Sequence, residues 1–376
     1  MVVSHLSVPD CPDEHSAPHW NDSVAAALHQ AYALIAADNP SAAAVCLHPY
    51  IAESMSHLQR IRVLYVLSLD SANRDLLREA FDFIEEALNL AVEVGDLDAC
   101  ALLAYHGASI LHNMQRFADA AEYFDISLDA LRSQENLDPV NCAPREFDLL
   151  VSLAIEGFYR ADFEKADDFL ADAWRLSLPG THHDLRKARA AWTAALLARW
   201  RGWHDRALQY AIAAHGIYVV HGAPIERARM RLALADVYLD MAAPPGIVPP
   251  LAEYGRIVEL AERPLMDALA STDVTGDLAG KGLALLTYAR YLRVARRDEN
   301  ALSVLWTAEA IGRQLADLPL LGQVQTARGT ELMAQGETSQ ARACYRSAIE
   351  ILHQSDVSVQ AIWPQRALWY DQEMQT

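Results

Sequence analysis

The chain has 376 residues, of which 52% are hydrophobic and 22% charged, with only 16 glycines and 16 prolines. This supplies enough apolar surface for a continuous core, which excludes a disordered chain, and too few turn-formers for a many-stranded β protein. Fifty acidic against 31 basic residues give a formal net charge of −19. Such a surface repels phosphate backbones, so no direct nucleic-acid partner is expected.

Residues 1–21 hold Pro9, Asp10, Pro12, Asp13 and Glu14 without a basic start or an apolar run. They read as a flexible tail and not as a signal peptide. No stretch approaches the roughly 18 uninterrupted apolar residues of a spanning helix, so no membrane contact and a cytoplasmic location are expected. The five cysteines, Cys11, Cys46, Cys100, Cys142 and Cys344, form no C-x-x-C pair. Reduced thiols fit this pattern better than a disulfide framework.

Over residues 22–355 one frame recurs, a small residue followed by a large one four later and a small one three later again. In chain order it is Ala43–Leu47–Tyr50 (the weakest copy), Ala80–Ile84–Ala87, Ala120–Phe124–Ser127 and Ala166–Leu170–Ala173. It continues as Ala207–Ala211–Ala214, Ala261–Leu265–Ala268, Ala301–Leu305–Ala308 and Ala341–Tyr345–Ala348. The steps are 37, 40, 46, 41, 54, 40 and 40 residues, too regular for coincidence in an alanine-rich chain. Twelve residues before most anchors lies a large–small–x–x–large pattern, as in Arg328, Gly329 and Leu332 or Tyr288, Ala289 and Leu292. Each marks a preceding helix, so the unit is a helical hairpin. Small residues where two helices cross let the axes approach to roughly 8–10 Å, and larger side chains nearby fill the grooves. One pair cannot bury its apolar stripe alone, so neighbours must stack.

This frame resembles the tetratricopeptide repeat, over about Ser23 to Leu352. The resemblance implies an all-α protein, an α-α superhelix or solenoid of about eight helix pairs. The steps are longer than that family's usual length of about 34 residues, a feature similar to the regulatory repeat arrays of bacterial signal-responsive activators. Two further departures fall in the sixth unit. The insert at 242–250, AAPPGIVPP, splits it, and Pro264 is expected to kink its second helix or delay its start. Residues 356–376, with Ile362, Trp363, Pro364, Leu368, Trp369 and Tyr370, read as a final helix that caps the last repeat; a homodimer contact is the alternative role.

No P-loop, dinucleotide-binding glycine pattern, H-E-x-x-H, G-x-S-x-G or kinase motif is present, so no catalytic residue is nominated and no cofactor is expected. His182, His183 and Asp184 have the chemistry of metal ligands, but adjacent histidines on a turn seldom converge, and Asp184 serves better as a helix start. His5, Cys11, His15 and His19 lack a scaffold. No metal site is assigned. The segment 198–205, ARWRGWHD, packs two Trp and two Arg around a turn and reads as structural in so acidic a chain.

In tetratricopeptide-like arrays the first helix of each pair lines the groove. Counting from the large–small pair, the resemblance implies a ligand-binding set of Arg62, Tyr65, Tyr105, His112, Trp192, Arg199, Arg290 and Arg293, with Arg229 and Asp236 placed by analogy. Guanidiniums present a planar fork to carboxylates, and aromatics supply contact area at modest entropic cost. The expected function is a non-catalytic, regulatory scaffold for a protein or peptide ligand, an acidic one by this chemistry. Two alternatives stand beside it: a peptide-responsive signalling protein similar to the Rap phosphatases, and an enzyme with a small-molecule site inside the superhelix.

Overall fold

A computed structural model describes residues 21–134, 139–176, 183–243, 255–295 and 300–355 and part of 357–368. It contains helices α1 (Asp22–Ala36), α2 (Pro40–Leu47), α3 (His57–Asn73), α4 (Leu77–Val94), α5 (Leu97–Asn113), α6 (Phe117–Arg132), α7 (Pro139–Tyr159) and α8 (Phe163–Arg175). They are followed by α9 (His183–Trp200), α10 (His204–His221), α11 (Pro224–Ala242), α12 (Gly255–Thr275), α13 (Leu278–Ala295), α14 (Ala301–Gln314), α15 (Leu318–Ala334) and α16 (Thr338–His353). No strand occurs among the described residues. The chain forms two compact units, Met1–Cys142 and Ala143–Thr376.

Each odd-numbered helix pairs with the even-numbered one after it, and all eight anchors fall on the second helix of a pair. Ala43, Ala80, Ala120, Ala166, Ala207, Ala261 and Ala341 have no exposed surface, and Ala301 is buried. The residues twelve before them, where described as buried on the first helix, are Ala31, Ser68, Ala108, Ala154, Ala195, Ala289 and Gly329. Small therefore faces small at the crossing, as close axial approach requires.

The turn inside the pair is as regular as the crossing. Asp38, Asp75, Gln115, Ala161, Gly202 and Gly336 all have a left-handed backbone, with φ from 58° to 82°. Each lies five residues before its anchor. The next residue returns an N–H five residues back, from Asn39 to Leu34, Leu76 to Ser71, Arg116 to Leu111, Asp162 to Gly157, Trp203 to Ala198 and Glu337 to Leu332. This is the Schellman closure, which satisfies carbonyls that the helix end would leave bare. Starts are capped as firmly. Asn21, Asp96, Asn300 and Asp317 accept from backbone N–H groups of α1, α5, α14 and α15, and Ser56 with Gln59 forms a capping box on α3.

In the second unit the first helices also touch one another, α11 on α13 and α13 on α15. The described residues of α12, α14 and α16 make no comparable packing among themselves. The first helices of that row therefore lie closer to one another than the second helices do.

Two expectations about the sixth unit meet different ends. α12 starts at Gly255, nine residues ahead of Pro264, and runs on through it to Thr275, so the proline does not delay the helix. The carbonyl it deprives of a partner belongs to Leu260, which is exposed and can turn to water. Of the insert, Ala242 closes α11 and Ala243 is buried, while 244–250 lie outside the described residues. Of the expected tail 1–21, residues 1–20 lie outside them too, as do His182 and the side chain of His183, while Asn21 caps α1 and Asp184 stands in the first turn of α9.

Candidate functional site

In the second unit the sequence candidates Arg199, Asp236 and Arg290 come together at the C-terminal ends of α9, α11 and α13. Two carboxylates on successive turns of α11, Asp236 and Asp240, face guanidiniums from both neighbours. Arg199 donates through Nε to Asp240 Oδ2 and through Nη1 to Asp236 Oδ2 at 3.4 Å. Arg290 Nη2 makes an ion pair with Asp240 Oδ1 and donates to the Ala243 carbonyl, while its Nη1 lies 3.8 Å from Asp236 Oδ1. Thr287 donates to Asp236 Oδ1 at 3.0 Å.

Three helices are thus joined by two cations and two anions. Side-chain exposure is 16% for Arg199, 10% for Arg290 and 4% for Asp240, against 20% for Asp236. Burial pushes the Asp240 carboxyl up, but Arg199 and Arg290 more than offset this and hold it below its usual value. Arg199 is held above its ordinary value: burial opposes the charge, and Asp240 and Asp236 outweigh burial. Arg293, one turn beyond Arg290, is brought down to about 10 by burial and by the neighbouring Arg290 charge.

The other candidates of this unit stand apart from that cluster. Arg229, two turns before Asp236, makes a two-pronged pair with Asp277 at 3.2 Å for both contacts. Asp277 also caps α13 by accepting from Gly280 N. Trp192 packs against the cluster of Ala188, Ala191, Ala214, Tyr218 and Met230, and so fills the space between α9, α10 and α11. Arg201 and Trp203 of the 198–205 segment are structural: Arg201 pairs with Asp167, donates to the Phe163 carbonyl and stacks on Trp203.

The first unit carries its own set. Tyr65 on α3 and His106 on α5 share a hydrogen between Oη and Nε2 at 2.8 Å, with the rings edge to face. Burial lowers the His106 imidazole to about 4 and raises the Tyr65 phenol, so both are neutral at pH 7. Tyr105 joins them edge to face with His106 and Phe124. His112 packs on Phe117 at the far end of α5, and Arg62 is half-buried on α3. His106, Asp240, Asp277 and Thr287 were not singled out by sequence, although each sits about one repeat step from its partner. Among the described residues no group of His, Cys, Asp and Glu is placed to hold a metal ion, and no helix is long and apolar enough to cross a membrane.

No protein-family model matches the sequence, and no curated protein does. Solved structures do. The apo form of the quorum sensor NprR from B. thuringiensis aligns with a TM-score of 0.66 at 13% identity, over 88% of this chain and 87% of that one. A Rap protein complexed with competence and sporulation factor gives 0.64 at 14% identity, over 90% and 99%. The Rap conjugation gene regulator of the plasmid pLS20, in complex with the Phr* peptide, gives 0.60 at 13%, over 81% and 76%. At such identities the likeness is one of fold: a tetratricopeptide-like array of helix pairs.

Proposed function

We propose that this chain is a non-catalytic regulatory protein, that it captures an acidic peptide segment on the inner, first-helix face of its second unit, and that it works in the cytoplasm without a cofactor. The observation that carries this reading is a reversal of charge. The five first helices of that unit, α7, α9, α11, α13 and α15, hold twelve basic and eight acidic residues, whereas the whole chain holds 31 and 50. Such a local excess attracts anionic segments through the field of an otherwise repelling surface. Peptides occupy two of the structures of like fold, which supports a peptide as the ligand class. In the same reading the segment after Ser355, of which Val357 and Ala361 are buried, caps the last pair.

Isothermal titration of the full chain against a panel of acidic peptides and their Glu→Gln, Asp→Asn counterparts tests this. Acidic members should bind more tightly, and the preference should shrink as salt is raised. Equal binding of both sets, or none by either, would sink the reading.

A further inference from the structure

Asp236 and Asp240 face the same two guanidiniums on unequal terms. Asp240 is 4% exposed and in direct contact with both Arg199 and Arg290. Asp236 is 20% exposed, and its contacts with the same pair are long, 3.4 and 3.8 Å. The cations also have capacity to spare. Arg290 is nine-tenths buried, yet its Nε has no hydrogen-bond partner among the described residues. A buried N–H without an acceptor is costly, and an ionised acceptor is its strongest partner. Thr287, the remaining donor to Asp236, has a second acceptor ready, the Leu283 carbonyl at 3.1 Å. Departure of Asp236 therefore frees only Arg199 Nη1, the donor that an incoming carboxylate would take up.

We propose that Arg199 and Arg290 form a binding site for one ligand carboxylate, and that Asp236 occupies this site as an internal competitor until the ligand displaces it. The inference rests on the acidic-peptide reading above and adds the contact point and its regulation. Two anions balance two cations in the free chain. An incoming carboxylate preserves that balance only if one resident anion moves out to water, and Asp236 is the one with a path to solvent. Asp240 stays, so α9, α11 and α13 remain tied. Because the site is open only while Asp236 is away, the apparent affinity is lower than the intrinsic one by the open fraction.

The test follows the arginine Nε–H resonances of the full chain during titration with two probes. One is N-acetyl-tetraglycine with a free C-terminal carboxylate; the other is N-acetyl-Gly-Glu-Gly amide, whose only carboxylate is a side chain. The probe that shifts the Arg199 and Arg290 resonances identifies the source of the carboxylate. In Asp236→Asn, half-saturation should come at about tenfold lower probe concentration than in the unaltered chain. Asp236→Ser gives the same test if the asparagine variant folds poorly. The proposal is overturned if neither variant binds more tightly, or if neither probe moves the two resonances. The peptide-panel titration decides the wider reading separately: acid-selective binding that Asp236→Asn leaves unchanged would keep that reading and remove this one.

Discussion

The ring of Tyr345 on α16 occupies the space that a side chain at Gly329 on α15 would need. A Cβ added to Gly329 would stand 2.6 Å from Cε1 and 2.8 Å from Cδ1 of that ring. Tyr345 is 1% exposed and donates to Thr330 Oγ1 at 3.3 Å, so it has little room to withdraw. Gly329→Ala gains about 1 kcal/mol of helix propensity but overpacks the crossing by about 1–3 kcal/mol. Urea unfolding should show a net loss of about 1 kcal/mol, and the double variant with Tyr345→Leu should lose less from the added methyl. A Gly329→Ala midpoint at or above that of the parent would show that the crossing is looser than described.

Ala161 closes α7 with φ of 60°, a conformation in which its Cβ crowds the following carbonyl. The corresponding turns at Gly202 and Gly336 avoid this crowding by having no side chain. Ala161→Gly should stabilise the protein by about 1 kcal/mol, and Gln115→Gly, at φ of 61°, should act likewise. Thermal unfolding checks both. A lower midpoint for both variants would mean that the strain is absent.

Asp240 is the anion that two buried cations share. Asp240→Ala leaves the two guanidiniums with no anion but the distant Asp236, Arg290 keeping its bond to the Ala243 carbonyl, and a loss of about 3 kcal/mol or more is expected in denaturant unfolding. Asp236→Ala should cost well under half as much, because Asp236 is more exposed and more distant from both. Equal losses would contradict the unequal roles of the two carboxylates.

Acid should unfold the protein in two separate windows. The folded His106 pKa is about 4 against about 6.5 unfolded, so between these values the unfolded state holds the extra proton. Stability then falls as pH drops through that window, by about 2 kcal/mol between pH 7 and pH 5. Asp240, whose folded pKa is depressed, contributes above the unfolded carboxylate value of about 3.9 and loses that contribution only below it. His106→Gln should flatten the loss from pH 7 to 5 and leave the steeper fall below pH 4. An unchanged slope between pH 7 and 5 would remove His106 as its source.

The repeat was legible because sterics dictate it. Only a small residue fits where two helix axes cross, so Ala80, Ala120 or Ala341 advertises the crossing in a single sequence. The charged cluster was only half legible, because counting along one helix at a time finds a cation without its partner. Arg199 and Asp240 are 41 residues apart, as are Tyr65 and His106, and Arg186 and Asp148 are 38 apart. These separations match the repeat step, so reading across one step joins what reading along a helix leaves single. Trp192 was illegible for a different reason: an aromatic on a first helix can turn sideways into the core, and its direction depends on packing with α10 and α11 that the count does not contain.

Because α11 meets α13 and α13 meets α15 while the described residues of α12, α14 and α16 stand apart, one rim of that row is tied helix to helix and the other is not. Separating the first helices must break the Arg–Asp contacts; separating the second helices breaks no comparable ones. A ligand wedged among the first helices therefore acts on the tied rim.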